Sequence, residues 1–203
     1  DTANVGPGPK PDGAGGEMYR IVEIRSTIRI PPDRLGEDLD AVTEDIVHQT
    51  FDDKMVKDGG LIVAAIDAHR EGEGRVVPGD GAVYQPVVFE ALTFKPENQE
   101  LVDGLVYEVV SFGAFVRFGP LDGLLHVSQI MSEKVDVDGA NQRLVGHESK
   151  RELKVGDVVR VRLVSLAINE MSPRDSRIGL TMMQPGLGKP EWIEEERAKE
   201  RAK

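Results

Sequence analysis

The 203-residue chain contains no cysteine. Disulfides, zinc–thiolate sites and thiol nucleophiles are thereby excluded, and the composition fits a reducing cytoplasm. No apolar run approaches the ~20 residues a helix needs to cross a bilayer, and no secretory signal opens the chain, so no membrane partner is expected. Positive charge is scarce: 25 basic against 36 acidic residues leave a net charge of -11. That argues against a broad basic surface for nucleic acid; any such contact must be a local patch on an acidic body. Aromatic side chains make up only 5% of residues, so their clustering carries information.

What is present divides by character. Residues 1–17 hold glycine, proline and alanine with Val5 as the one larger apolar residue. They read as a disordered leader ahead of a natural start at Met18. The segment YRIVEIRSTIRI reads as a strand with Ile21, Ile24, Ile28 and Ile30 as its apolar set, halted by Pro31-Pro32. Leu39, Val42, Ile46 and Val47 predict a helix over about 38–51, with Asp38 as N-cap. GLIVAAIDA is a continuous apolar run typical of a buried strand, and residues 69–82 read as a turn-rich loop. Val83–Phe94 reads as a long strand whose exposed edge invites cover. This β-α-β-β order predicts an α+β domain over residues 18–97.

The second half is different. GLVYEVVS, GAFVRFG, DGLLHV, VVRVRLVSLA and RIGLTM are five short segments of strand character. They predict an all-β, five-stranded OB-type barrel over residues 101–184. Residues 131–156 form a long, partner-binding loop in this reading, and residues 185–203 a charged helical tail. Strand alternation turns Ala114, Val116 and Phe118 inward and leaves Phe115 and Arg117 outside. Leu125 and Val127 go inward, while Leu124 and His126 face out. Phe112 sits in the turn before Gly113, whose freedom lets the chain bend. The expected surface gathers Phe112, Phe115 and His126, with Arg117 nearby. Exposed rings stack on bases for about 1–3 kcal/mol each, the usual way an OB barrel holds single-stranded RNA.

The segment FGAFVRFGPLDGLLHVSQI, followed by VGDVVRVRLVSLA and RIGLT, resembles the S1 RNA-binding domain. The resemblance implies an RNA site at Phe112, Phe115 and His126, with a basic contribution from Arg177 before the last strand. Ala167 stands where that family often has an aspartate. MYRIVEIRSTIRIPPDRLGEDL, PGDGAVYQPVVFEALTFKP, RLVGHESKRELKVGD and IGLTMMQPGLGKPEWIEE resemble a wider family, the E-prime subunits of archaeal DNA-directed RNA polymerase. They are the counterparts of the seventh subunit of eukaryotic RNA polymerase II. That resemblance implies an N-terminal tip domain docked on the polymerase core and a heterodimer with the smaller F subunit of the polymerase. The S1 barrel would then guide nascent single-stranded RNA beside the exit channel through initiation, elongation and termination. By the same resemblance, the turn Pro78-Gly79-Asp80-Gly81 is expected to meet the core. The competing reading is an S1-domain accessory protein of an RNA-processing complex such as the exosome. Such proteins usually add a KH domain with a basic GxxG loop, and the comparable match here, Gly13–Gly16, has no flanking lysine or arginine. A translation factor is a third reading, but those place the barrel first.

No catalytic, metal or cofactor site is expected. The histidines His48, His69, His126 and His147 lack HExxH or paired-ligand spacing. Gly186-Leu187-Gly188-Lys189 lacks the full Walker spacing and follows a barrel strand. Asp67, Asp80, Asp122 and Asp157 lie on different segments. The chain reads as a non-catalytic subunit of a nucleotidyltransferase complex.

Overall fold

Alternating isoleucine, valine and phenylalanine decide the first half of the chain. The computed structural model describes residues 4–5, 18–56 and 60–201. The chain divides into two units, Asp1–Pro96 and Glu97–Lys203. In the first, the elements are β1 (Asn4–Val5), β2 (Tyr19–Ile30), α1 (Leu39–Phe51), β3 (Met55–Val56), β4 (Gly60–Arg70), β5 (Arg75–Val76) and β6 (Val83–Phe94). The strands form one antiparallel sheet in the order β1-β2-β6-β4-β3, with β5 also pairing β6. Helix α1 lays Val42, Ile46 and Val47 into a core with Ile24, Ile28, Ile62 and Phe89. Its start matches expectation, since the Asp38 carboxylate accepts from the Asp40 N–H. Thr43 is fully buried because its hydroxyl donates to the Leu39 carbonyl at 2.7 Å.

Four expectations are corrected here. Ile21 does not share a face with Ile24, Ile28 and Ile30; an odd separation turns it outward, and it is 49% exposed. β6 is the central strand, hydrogen-bonded to β2 on one side and to β4 and β5 on the other. Pro86 misleads a sequence reading, because proline ordinarily marks an edge. Here β4 ends at Arg70, opposite Val87, and Pro86 lies just past that point. Its carbonyl accepts from the Glu71 N–H, so its donor-less nitrogen faces the gap before β5 begins. Residues 69–82 are not all loop either, since His69 and Arg70 extend β4 and Arg75–Val76 form β5. Of the 1–17 leader, all but Asn4 and Val5 lie outside the described residues. Those two pair with Arg25 and Ile24 as an edge strand rather than standing free.

The second unit contains β7 (Leu101–Val110), β8 (Gly113–Phe118), β9 (Leu121–His126), β10 (Val135–Asp138), β11 (Arg143–Gly146), β12 (Glu152–Lys154), β13 (Val158–Ala167), β14 (Arg177–Thr181) and α2 (Pro190–Arg201). Five of these close a barrel in the order β13-β14-β9-β8-β7, and β7 pairs back onto β13. Val106, Val116, Leu125, Val161, Leu163 and Leu180 fill it. An α+β unit followed by a five-stranded OB-type barrel is thus the observed fold. Val127 leaves the strand pattern, opening a short 3-10 turn, Val127–Gln129.

Residues 131–156 are not a loop. β10, β11 and β12 make a separate antiparallel sheet in which Leu144 pairs with Leu153 and both are fully buried. The final segment is docked, not a free tail. Trp192 and Ile193 are buried, Gly188 pairs with Arg160 of β13, and Arg151 binds Glu195 and Glu196 at 3.1 Å each. Lys189 sits 3.0 Å from Asp157, which gives the glycine-flanked lysine a structural partner in place of a phosphate.

Candidate nucleic-acid interface

The outer surface of β8, β9 and β14 collects the expected residues. Ala114, Val116 and Phe118 are buried, so Phe115 and Arg117 project outward, as the alternation requires. Phe112 is 47% exposed and meets Phe115 edge to face, with ring centroids 6.5 Å apart. Phe115 lies opposite Leu124, and His126 stands opposite Gly113. The glycine is needed at that crossing, though not for a bend: a Cβ on Gly113 would lie 2.3 Å from the Leu125 carbonyl oxygen. Gly179 keeps the next strand low in the same way, since a Cβ there would strike the Ser165 hydroxyl. The result is a flat face with rings standing on it.

His126 is oriented by its own turn. The Ser128 N–H donates to Nδ1 at 3.2 Å, and the Ser128 hydroxyl lies 2.8 Å from the same atom. With Nδ1 occupied as an acceptor, the neutral ring carries its proton on Nε2 and offers that donor outward. Arg177 opens β14 opposite Ala167 and is exposed. Among the described residues, no carboxylate lies within ion-pair distance of it. Phe112, Phe115, His126 and Arg177 therefore share the barrel's outer surface.

Arg117 differs from expectation. Its Nε and Nη2 donate to Asp122 Oδ1 and Oδ2 at 2.9 and 3.4 Å, directly across the β8–β9 ladder. Its guanidinium carbon also sits 4.6 Å from the centre of the Tyr107 ring. Tyr107 is the residue the sequence reading missed. It occupies a β-bulge in β7, where Val106 pairs with Val116 but Glu108 with Phe115. The extra residue places Tyr107 outside, 6.2 Å from Phe115, with its hydroxyl 3.3 Å from Asp122. Burial first, and the Asp122 carboxylate second, push the Tyr107 phenol above its ordinary value. The spacing of Val106 and Val109, both inward yet three apart, was the available signal.

The second expected site, Pro78-Gly79-Asp80-Gly81, crowns the hairpin between β5 and β6. Pro78, Gly79 and Gly81 are exposed, and Val76 just before them is 63% exposed. Gly79 and Gly81 take positive φ of 94° and 72°, which glycine alone adopts without strain. Asp80 instead turns back. It accepts from Arg29 Nε at 3.0 Å and Nη2 at 2.5 Å, and from the Tyr84 hydroxyl at 2.7 Å. These bonds, Arg29's first, hold its carboxyl down at about 2. Asp80 therefore locks the loop's shape, while its neighbours form the surface.

Comparison with known proteins follows the same division. Residues 25–81 match the model of the SHS2 domain found in N terminus of Rpb7p/Rpc25p/MJ0397, and residues 95–168 match the S1 RNA binding domain. The DNA-directed RNA polymerase subunit Rpo7 of Saccharolobus shibatae is 41% identical over 176 residues, covering 87% of this chain and 97% of that one. The DNA-directed RNA polymerase III subunit RPC8 of Saccharomyces cerevisiae is 33% identical over 165 residues, 79% of this chain and 77% of the yeast protein. A polyribonucleotide nucleotidyltransferase from a Caulobacter strain is 28% identical over 161 residues, but the match covers only 21% of that enzyme.

Proposed function

The chain belongs to the Rpo7 family of archaeal DNA-directed RNA polymerase subunits, and from that premise we propose how its two units divide the work of a stalk protein. The carrying observation is the near full-length match to Rpo7, with an SHS2 unit followed by an S1 barrel in that order. The barrel binds nascent single-stranded RNA beside the exit channel, and the stalk supports initiation, elongation and termination. Phe112 and Phe115 stack on bases, His126 offers its Nε2 proton, and Arg177 meets a phosphate.

The first unit docks the polymerase core through the Pro78–Gly81 apex, supported by a knob whose shape Asp80, Arg29 and Tyr84 fix before contact. The smaller F subunit of the polymerase is the heterodimer partner. The chain itself is non-catalytic and works in the cytoplasm, where the polymerase is assembled; among the described residues no helix is long and apolar enough to cross a membrane. Native co-purification tests this reading. The large polymerase subunits and the small heterodimer partner should come down with the chain, whereas recovery of exosome proteins in their place would favour the RNA-processing alternative.

A further inference from the structure

Arg117 stands beside the aromatic row, yet two of its five N–H donors and one face of its guanidinium are engaged within the barrel. Two fork N–H groups go to Asp122, and the flat of the guanidinium rests on Tyr107. Asp122 in turn accepts from the Tyr107 hydroxyl. Affinity from phosphate contact depends on a cation that releases counterions when it meets the backbone. An arginine already paired with a carboxylate releases few. A phosphate that approaches the remaining N–H groups of Arg117 meets the Asp122 carboxylate beside them, whose like charge opposes the contact. Stacking on Phe115 and Phe112 carries no such opposing cost, because every base has a π-face.

We propose that Asp122 is a specificity-determining residue of the RNA site: it withholds Arg117 from phosphate and holds it on Tyr107, so that the barrel selects unstacked single strands over duplex RNA. The proposal rests on the reading of this face as the RNA site. Duplex RNA presents phosphates and 2′-hydroxyls but no free base faces. A face of stacking rings whose Arg117 is charge-compensated leaves a duplex chiefly Arg177 and the His126 donor to hold. The acidic body adds to that discrimination, since the full chain carries a net charge of -11.

The test uses the full chain, a short unstructured RNA, and a duplex of equal length, with affinity read by anisotropy over a salt series. Asp122→Asn should raise duplex affinity by about threefold at low salt, narrowing the preference for single strands. It should steepen the single-strand slope of log affinity against log salt by about 0.7, the value for one added phosphate contact. Adding Arg117→Gln in the same chain should cancel both gains. Circular dichroism establishes that each variant is folded, and Asp122→Ser replaces the asparagine variant if that one unfolds. Unchanged slope and unchanged single-strand preference in a folded Asp122 variant overturn the proposal, provided that the parent chain binds single strands and Phe115→Ala weakens it. If the parent does not bind and Phe115→Ala has no effect, the RNA-site reading itself fails, and the proposal with it.

Discussion

Each half of the molecule contains an arginine, an aspartate and a tyrosine joined in one group, and the two groups serve opposite ends. At the tip, Asp80 takes a 2.5 Å bond from Arg29 and a 2.7 Å bond from Tyr84. On the barrel, the bonds from Arg117 Nη2 and Tyr107 to Asp122 are 3.4 and 3.3 Å, while the Nε bond, at 2.9 Å, matches the 3.0 Å one at the tip. Arg29 and Asp80 of the tip group lie 51 residues apart in sequence, and their pairing pins a turn. The barrel group spans three neighbouring strands, β7, β8 and β9, already held by their own ladders, so it adds no constraint that the fold needs. Bonds that close a turn make a lock; bonds lying flat on an already paired sheet make a surface whose charge can be rearranged.

The sharpest way to break this comparison is to remove a stacking ring. Phe115→Ala should weaken single-stranded RNA binding by about 1–3 kcal/mol while the barrel stays folded, and unchanged affinity in filter binding would take Phe115 out of the site. Tyr107→Ala should cost about 1 kcal/mol of the same affinity, at the low end for a lost stacking surface, because part of its ring is already covered by Arg117.

Acid comes next. The Asp80 carboxyl is held at about 2, below its ordinary 3.8. A carboxylate lowered on folding stabilises the native state fully above its unfolded value, and that contribution disappears as pH falls through the folded one. Amide exchange at the tip hairpin should therefore accelerate between about pH 4 and pH 2, and Asp80→Asn should flatten that dependence. The smallest effect separates the two tyrosines. Tyr107→Phe should move barrel stability by less than about 0.5 kcal/mol, whereas Tyr84→Phe, which loses the shorter bond, should loosen the tip measurably by the same exchange readout.

Much of this was legible beforehand. The barrel strands announce themselves through period-two alternation broken by glycine, and α1 through its apolar spacing and the Asp38 cap. The outward places of Phe115 and His126 follow from the same alternation, and that of Phe112 from the turn before Gly113. What stayed hidden depends on partners distant in sequence or on local exceptions. Nothing near Asp80 points to Arg29. VDVD, RLVG and ELK are too short and too charged to signal a sheet until Leu144 meets Leu153. Pro86 argues against the central position that β6 occupies, because the gap receiving its bare nitrogen is made by where β4 stops. The fate of Arg117 was invisible for a related reason: alternation says which way a side chain points, but not what it finds there.

The bulge in β7 has an evolutionary consequence. Val106 pairs with Val116 and Glu108 with Phe115, leaving Tyr107 between them without a place in the ladder. Removing it would bring Val106, Glu108 and Val109 into unbroken in-out-in order, so the deletion would mend the strand instead of disrupting it. A single-codon event could thus add or discard the third ring with the barrel intact. Variation in how such barrels grip RNA would then arise by insertion as readily as by substitution.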